Sequence, residues 1–136
     1  MALDLDALET SFDLVAPRGD ELVDTFYARL FTAAPAVKPL FAGTDLEQQK
    51  KMLLATLVLL RKSLRDLGAV VPKLRELGRK HVAYGARPEH YPVVGEVLIA
   101  SMADVAGEQW KPEHQRAWAA AIAVVAGAML EGAAGA

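Results

Sequence analysis

His81 is the side chain whose surroundings most invite chemistry. It lies on a helical row otherwise made of Leu74, Leu77 and Tyr84, at three- and four-residue steps. An imidazole so placed can ligate a metal, move a proton, or sit in a core with a ring nitrogen on a backbone carbonyl. Two other polar groups interrupt apolar stripes. Tyr27 falls among Val23, Leu30 and Phe31, and Gln48 shares a stripe with Met52, Ala55 and Leu59. A buried tyrosine ordinarily bonds a carbonyl through its hydroxyl. The window Glu47-Gln48-Gln49-Lys50 is polar enough to leave open which glutamine faces inward. Tyr91 begins a further segment ten residues after His81. His90 reads as a surface or capping residue, and His114 as a solvated one in the first turn of the last helix.

These residue types exclude several chemistries. The chain has no cysteine, hence no thiolate metal site, disulfide or cysteine nucleophile. No second histidine follows His81 at i+4, and Glu76 lies on another face of that helix, so side chains alone supply too few ligands for a structural zinc. No phosphate-binding loop, dinucleotide fingerprint or serine-nucleophile motif occurs. Two readings of His81 stand: a core histidine, or the one imidazole required by a cofactor that carries most of its own ligands. Haem is such a cofactor, with four porphyrin nitrogens, an axial ligand from protein and two apolar faces.

The elements that position these groups are helical. The 136 residues are 53% hydrophobic with a formal charge of -2, which suits one folded domain over 1–136 and gives no basic footprint for nucleic acid or an anionic membrane. Asp4 can cap a helix bearing Leu5, Leu8, Phe12 and Val15. A second runs from about Asp20 to Ala33, and a short turn follows over Pro35–Phe41. A long helix spans about Asp45 to Leu67, with Gly68 as a left-handed stop and Gln48, Met52, Ala55 and Leu59 as its inner row. Pro72 opens the helix of His81, which Gly85 ends. The next carries Tyr91, Val94, Leu98 and Met102 as far as Gly107, and Pro112 opens the last. No internal repeat or period-two alternation is visible, so the expectation is all-α, six main helices plus a short one, with 132–136 a frayed tail. The N-terminus lacks the pattern of a signal peptide, and the apolar runs Met52–Leu60 and Ala119–Leu130 fall short of the roughly 20 residues that span a bilayer. Both are expected as buried helix in a cytoplasmic protein.

The ordered pieces Phe26-Tyr27-Ala28-Arg29-Leu30-Phe31, Pro39-Leu40-Phe41, Leu77-Gly78-Arg79-Lys80-His81 and His90-Tyr91-Pro92-Val93-Val94-Gly95, with Trp118 beyond them, resemble the bacterial single-domain globins of the Vitreoscilla type and the globin part of flavohaemoglobins. They are also similar to neuroglobin. The likeness runs from about residue 3 to 131; each piece is weak, and the ordered set is specific.

The resemblance implies a three-over-three globin sandwich around haem b, with His81 as iron ligand and Phe41 packed on the porphyrin. It implies Tyr27 and Gln48 on the distal side, Met52 one turn beyond, and Leu77, Tyr91 and Val94 on the proximal side. In flavohaemoglobins the proximal tyrosine works with a glutamate of the last helix; by spacing from Trp118 that place falls on Ala133, and Glu131 is two residues early. The implied function is reversible binding of O2, with NO and CO as further gases. Alternatives are nitric-oxide dioxygenation or peroxidase chemistry with electrons from a separate reductase, and gas sensing.

Overall fold

The computed structural model describes residues 3–134. Six α-helices follow one another: α1 Leu5–Val15, α2 Gly19–Ala33, α3 Leu46–Lys62, α4 Val71–Ala83, α5 His90–Ala106 and α6 Pro112–Ala134. Short 3-10 segments cover Ala16–Arg18, Pro35–Phe41, Leu64–Ala69 and Gly107–Gln109, and no strand occurs among the described residues.

Capping chemistry sets several of the boundaries. The Asp4 carboxylate accepts the Ala7 N–H at 3.1 Å, and the Asp45 carboxylate accepts the Glu47 N–H at 3.1 Å. A four-residue pattern recurs at the starts of α5 and α6, as Arg87-Pro88-Glu89-His90 and Lys111-Pro112-Glu113-His114. In each, the histidine Nδ1 accepts the backbone N–H three residues earlier, at 3.1 Å. At α6 the donor is the N–H of the residue that caps the helix, and before α5 it lies in the turn that leads into the helix. His114 therefore departs from the expectation of a solvated residue: it is buried, and its ring lies 5.5 Å from that of Trp110.

The expected long helix is shorter by a turn. α3 ends at Lys62, where the Ser63 N–H is shared between the Leu59 and Leu60 carbonyls, and Asp66 leaves helical geometry at φ −149°, ψ 56°. The apolar period persists through the break, since Leu60 and Leu64 are both buried; this is why spacing alone read one helix. Gly68 does not take a positive φ; Gly85 does, at φ +90°, and a β-carbon there would meet Leu40 Cδ2 at 3.1 Å.

Packing is uneven. α2 lies on α5, α1 crosses α5 and α6, and α4 lies along α6. The last pair approaches closely enough to require glycine on both sides: a β-carbon on Gly78 would meet the Met129 carbonyl oxygen at 1.8 Å, and one on Gly132 the Arg75 carbonyl oxygen at 1.9 Å. Gly132 thus lies in a continuous helix through Ala134, inside the stretch expected as a tail, while residues 135–136 fall outside the described part. Trp118 is pinned by its Nε1–H, which donates to Ser11 Oγ at 2.8 Å; Ser11 is fully buried and donates in turn to the Ala7 carbonyl at 2.6 Å.

The run Ala119–Leu130 belongs to a 23-residue helix that by length and composition could cross a membrane. It is not the wholly buried helix expected: Val124 is 46% exposed, on the face of α6 turned from Trp118.

The core divides in two. One cluster joins α1, α2, α5 and α6 through Leu8, Phe12, Phe26, Met102 and Trp118; a smaller one joins Leu60, Val70, Leu74 and Met129. Although consecutive, α3 and α4 barely touch, and neither do α4 and α5. The two helices meet through the cluster of Leu60 and Leu74 and make few other contacts, so a wedge opens between the remainder of α3 and α4.

Candidate functional site

On the α2 side of the wedge Tyr27 is 6% exposed, within an aromatic nest. Its ring centroid lies 5.0 Å from Phe26 and 5.8 Å from Phe41, both edge-on, and Phe31 stands 5.5 Å from Phe41. Phe41 is carried there by the 3-10 segment Pro35–Phe41. The Tyr27 hydroxyl makes no hydrogen bond to any described residue, and it is not a sealed polar atom. Burial pushes its phenol up from the ordinary value, opposed by the charge of the nearby Lys50 ammonium. Tyr27 therefore stays a protonated donor at neutral pH, with its hydrogen available to a ligand.

α3 has two apolar flanks. Leu53, Leu57 and Leu60 turn to the core. The row expected to be the inner one does not: Gln48 and Ala55 are exposed and Met52 is 45% exposed. Leu59, at the end of that row, is half-buried against the smaller cluster, which carries Leu74 of α4, so the row runs from the surface toward that cluster. Helical register gives Gln48, not Gln49, this direction. The core took the row of four-carbon aliphatics and left the thioether and amide row along the wedge.

On the α4 side His81 is half-buried. Its Nδ1 lies 2.7 Å from the Leu77 carbonyl, four residues earlier, and its ring stands 5.6 Å from that of Tyr84. With the Nδ1–H donated to that carbonyl, the Nε2 lone pair is left for a ligand. Gly78 presses this helix onto α6 three residues before His81, and the positive-φ Gly85 ends it. Val94 of α5 is 36% exposed. Tyr91 is half-buried beside the Leu74–Met129 cluster, and desolvation pushes its phenol up. Its hydroxyl has no carboxylate partner among the described residues. Glu131 instead accepts from Arg75 at 2.9 Å and is well exposed.

The donor set fits haem. Among the described residues no three histidine, aspartate or glutamate side chains converge to hold a metal ion, so His81 stands as a lone imidazole. Apolar side chains on both sides of the wedge suit porphyrin faces, and the unpartnered Tyr27 hydroxyl supplies one polar group opposite. At the rim, Arg79 is held by Glu76 at 3.0 Å, whereas Lys80 is exposed and pairs with no described acid. The globin family profile matches residues 24–129.

The chain is a globin. Its cofactor is accordingly haem, and the fold is the globin fold. Among curated relatives it is 27% identical over 128 residues to a flavohaemoprotein of Bacillus subtilis, covering 93% of this chain and 32% of that protein. It is 33% identical over 114 residues to the flavohaemoprotein of Deinococcus radiodurans, covering 82% and 28%. The globin thus spans about a third of the length of these relatives. Among solved structures, a bacterial globin from Campylobacter jejuni superposes with a TM-score of 0.81 at 22% identity, over 95% of this chain and 93% of that one. A Pseudomonas aeruginosa protein described as structurally highly homologous to a human haemoglobin gives 0.81 at 25% identity, over 94% and 96%.

Sequence reasoning missed two residues of this neighbourhood. Ser11 drew no notice, since nothing local announces a tryptophan 107 residues away. Lys50 read as part of a polar window, although its register with Leu46, Leu53 and Leu57 was the signal that it turns inward.

Proposed function

We propose that this globin binds O2 reversibly at haem, with His81 as the iron ligand and Tyr27 and Gln48 as distal hydrogen-bond donors. Phe41, Met52, Leu77, Tyr91 and Val94 line the cofactor. The reading rests above all on the Tyr27 hydroxyl: a phenol on a 6%-exposed residue, without a protein partner. Its ring is enclosed while its oxygen stays accessible and unpartnered, so the hydroxyl is free to donate to a bound ligand.

When bound, haem supplies an iron at which a diatomic gas coordinates reversibly. His81 holds it through Nε2, kept as the lone-pair nitrogen by the Leu77 carbonyl. The Tyr27 O–H donates toward the gas from a wall made rigid by Phe26 and Phe41. Gln48, in the first turn of α3, adds an amide donor. The surrounding apolar side chains exclude water and so protect the reduced iron. Bonds of this kind to a partly charged acceptor contribute on the order of 1.5–3 kcal/mol. Tyr27→Phe is therefore expected to speed O2 dissociation roughly tenfold to a hundredfold. Stopped-flow release measures it, and an unchanged rate removes Tyr27 from the mechanism.

A second reading is nitric-oxide dioxygenation, favoured by the flavohaemoprotein relatives. NO and O2 would combine to nitrate with one electron from a separate reductase. Nitrate formation with a flavin reductase and reduced nicotinamide present tests it; NO consumption no faster than that of free haem counts against it. Peroxidase chemistry is disfavoured by the proximal side, where Glu131 is held by Arg75 and Leu77 offers His81 only a neutral carbonyl.

A further inference from the structure

Lys50 occupies a place where a charge needs a reason. It shares the α3 row of Leu46, Leu53 and Leu57, which turns to the core, and its side chain is only 18% exposed. The ammonium bridges two helices: it lies 3.0 Å from Asp24 of α2 and 3.2 Å from Glu47 of α3. Asp24 precedes Tyr27 by three residues and Glu47 immediately precedes Gln48, so the bridge joins the turns that carry the two distal donors. Its aliphatic stem covers apolar surface on the way.

We infer that Lys50 is a positioning residue for the distal pocket: its ion triad clamps the Tyr27 turn of α2 to the Gln48 turn of α3. Two further observations support this. The nearby Lys50 ammonium opposes the effect of burial on the Tyr27 phenol, which agrees with its place between the two turns. Asp24 and Glu47 are both well exposed, so neither carboxylate needs the lysine for its own solvation. The stem is held against apolar surface while the ammonium meets both acids at the surface, which ties the α2 turn to the α3 turn at that level.

The inference rests on the assignment of Tyr27 as the distal donor, and the experiment separates the two. Haem-reconstituted wild type, Tyr27→Phe, Lys50→Met, Lys50→Arg and the exposed-surface control Lys62→Met are compared by the C–O stretching band of their carbon monoxide complexes and by O2 dissociation. Donors and positive charge near the gas lower that frequency. Lys50→Met is expected to raise and broaden the band and to speed O2 release about threefold to tenfold, the equivalent of one hydrogen bond. Lys50→Arg should keep the wild-type band, and Lys62→Met should change nothing. Far-UV circular dichroism shows whether Lys50→Met folds; if it does not, Asp24→Asn, at an exposed carboxylate, should move the band the same way by less. An unshifted band in Lys50→Met, or in its Asp24→Asn substitute, overturns the clamp whatever Tyr27→Phe does. A response to Tyr27→Phe alone would leave the distal assignment standing without it.

Discussion

Tyr27 and His81 illustrate what makes a residue available for chemistry: what its neighbours leave unsatisfied. His81 spends one nitrogen on Leu77 and keeps the other; Tyr27 has its ring enclosed and its hydroxyl free. The same enclosure gives Tyr27 a pH signature. Desolvation favours the neutral phenol, so its ionisation in the folded chain lies above that in the unfolded chain. A group whose folded value is raised contributes stability fully present below the unfolded value, about 10 for tyrosine, and lost as pH rises toward the folded one. Urea titrations across pH 9–11 should therefore show falling stability, with a shallower fall in Tyr27→Phe. Tyr91, raised for the same reason, leaves a residual slope. Identical slopes in the two proteins would mean that the Tyr27 phenol is not desolvated.

At the scale of elements, the α4–α6 crossing is the joint on which the proximal side depends. Gly78 and Gly132 each meet the partner backbone where a β-carbon would overlap it, and backbone cannot rotate aside as a side chain can. Gly78→Ala is expected to cost roughly 1–3 kcal/mol, the range for overpacking, by pushing α4 off α6. Thermal unfolding would register this, and haem retention should fall with it because His81 sits one turn along. A variant as stable as wild type would show that the two helices can separate freely. By contrast, Arg61 of α3 and Arg65 of the 3-10 segment after it meet Glu9, Asp13 and Asp6 of α1 in a surface seam where Arg61 and Glu9 are half-buried and the others exposed. Glu9→Gln should cost no more than about 1 kcal/mol and lose most of that effect in high salt.

For the whole molecule, the divided core is the governing feature. A chain of this size ordinarily gathers one contiguous core, yet here the cluster around Trp118 and that around Met129 are separate bodies either side of the wedge. Haem inserted between them would join both and bury Met52 and Val94. Anything that binds only the folded state adds stability in proportion to the logarithm of its concentration over its dissociation constant. Calorimetry should thus show a higher Tm with haem than without, with most of the increase absent in His81→Ala. An equal increase in that variant would place the iron ligand elsewhere.

Much of this was legible from local pattern. Helix boundaries at Asp4, Pro72, Gly85, Gly107 and Pro112 follow from capping and backbone chemistry that acts within four residues, so the sequence alone determined the six helices and their order. It also singled out His81, because a lone imidazole in an apolar row stands out without reference to any other helix. Tertiary structure decided what depends on partners distant in the chain. Ser11 acquires its role from Trp118, Lys50 from Asp24, and Glu131 from Arg75. Which flank of α3 entered the core, that of Leu53, Leu57 and Leu60 or that of Gln48, Met52 and Ala55, was likewise settled by packing. Both rows have the same helical period, and only the volume available between α2 and α4 distinguishes them.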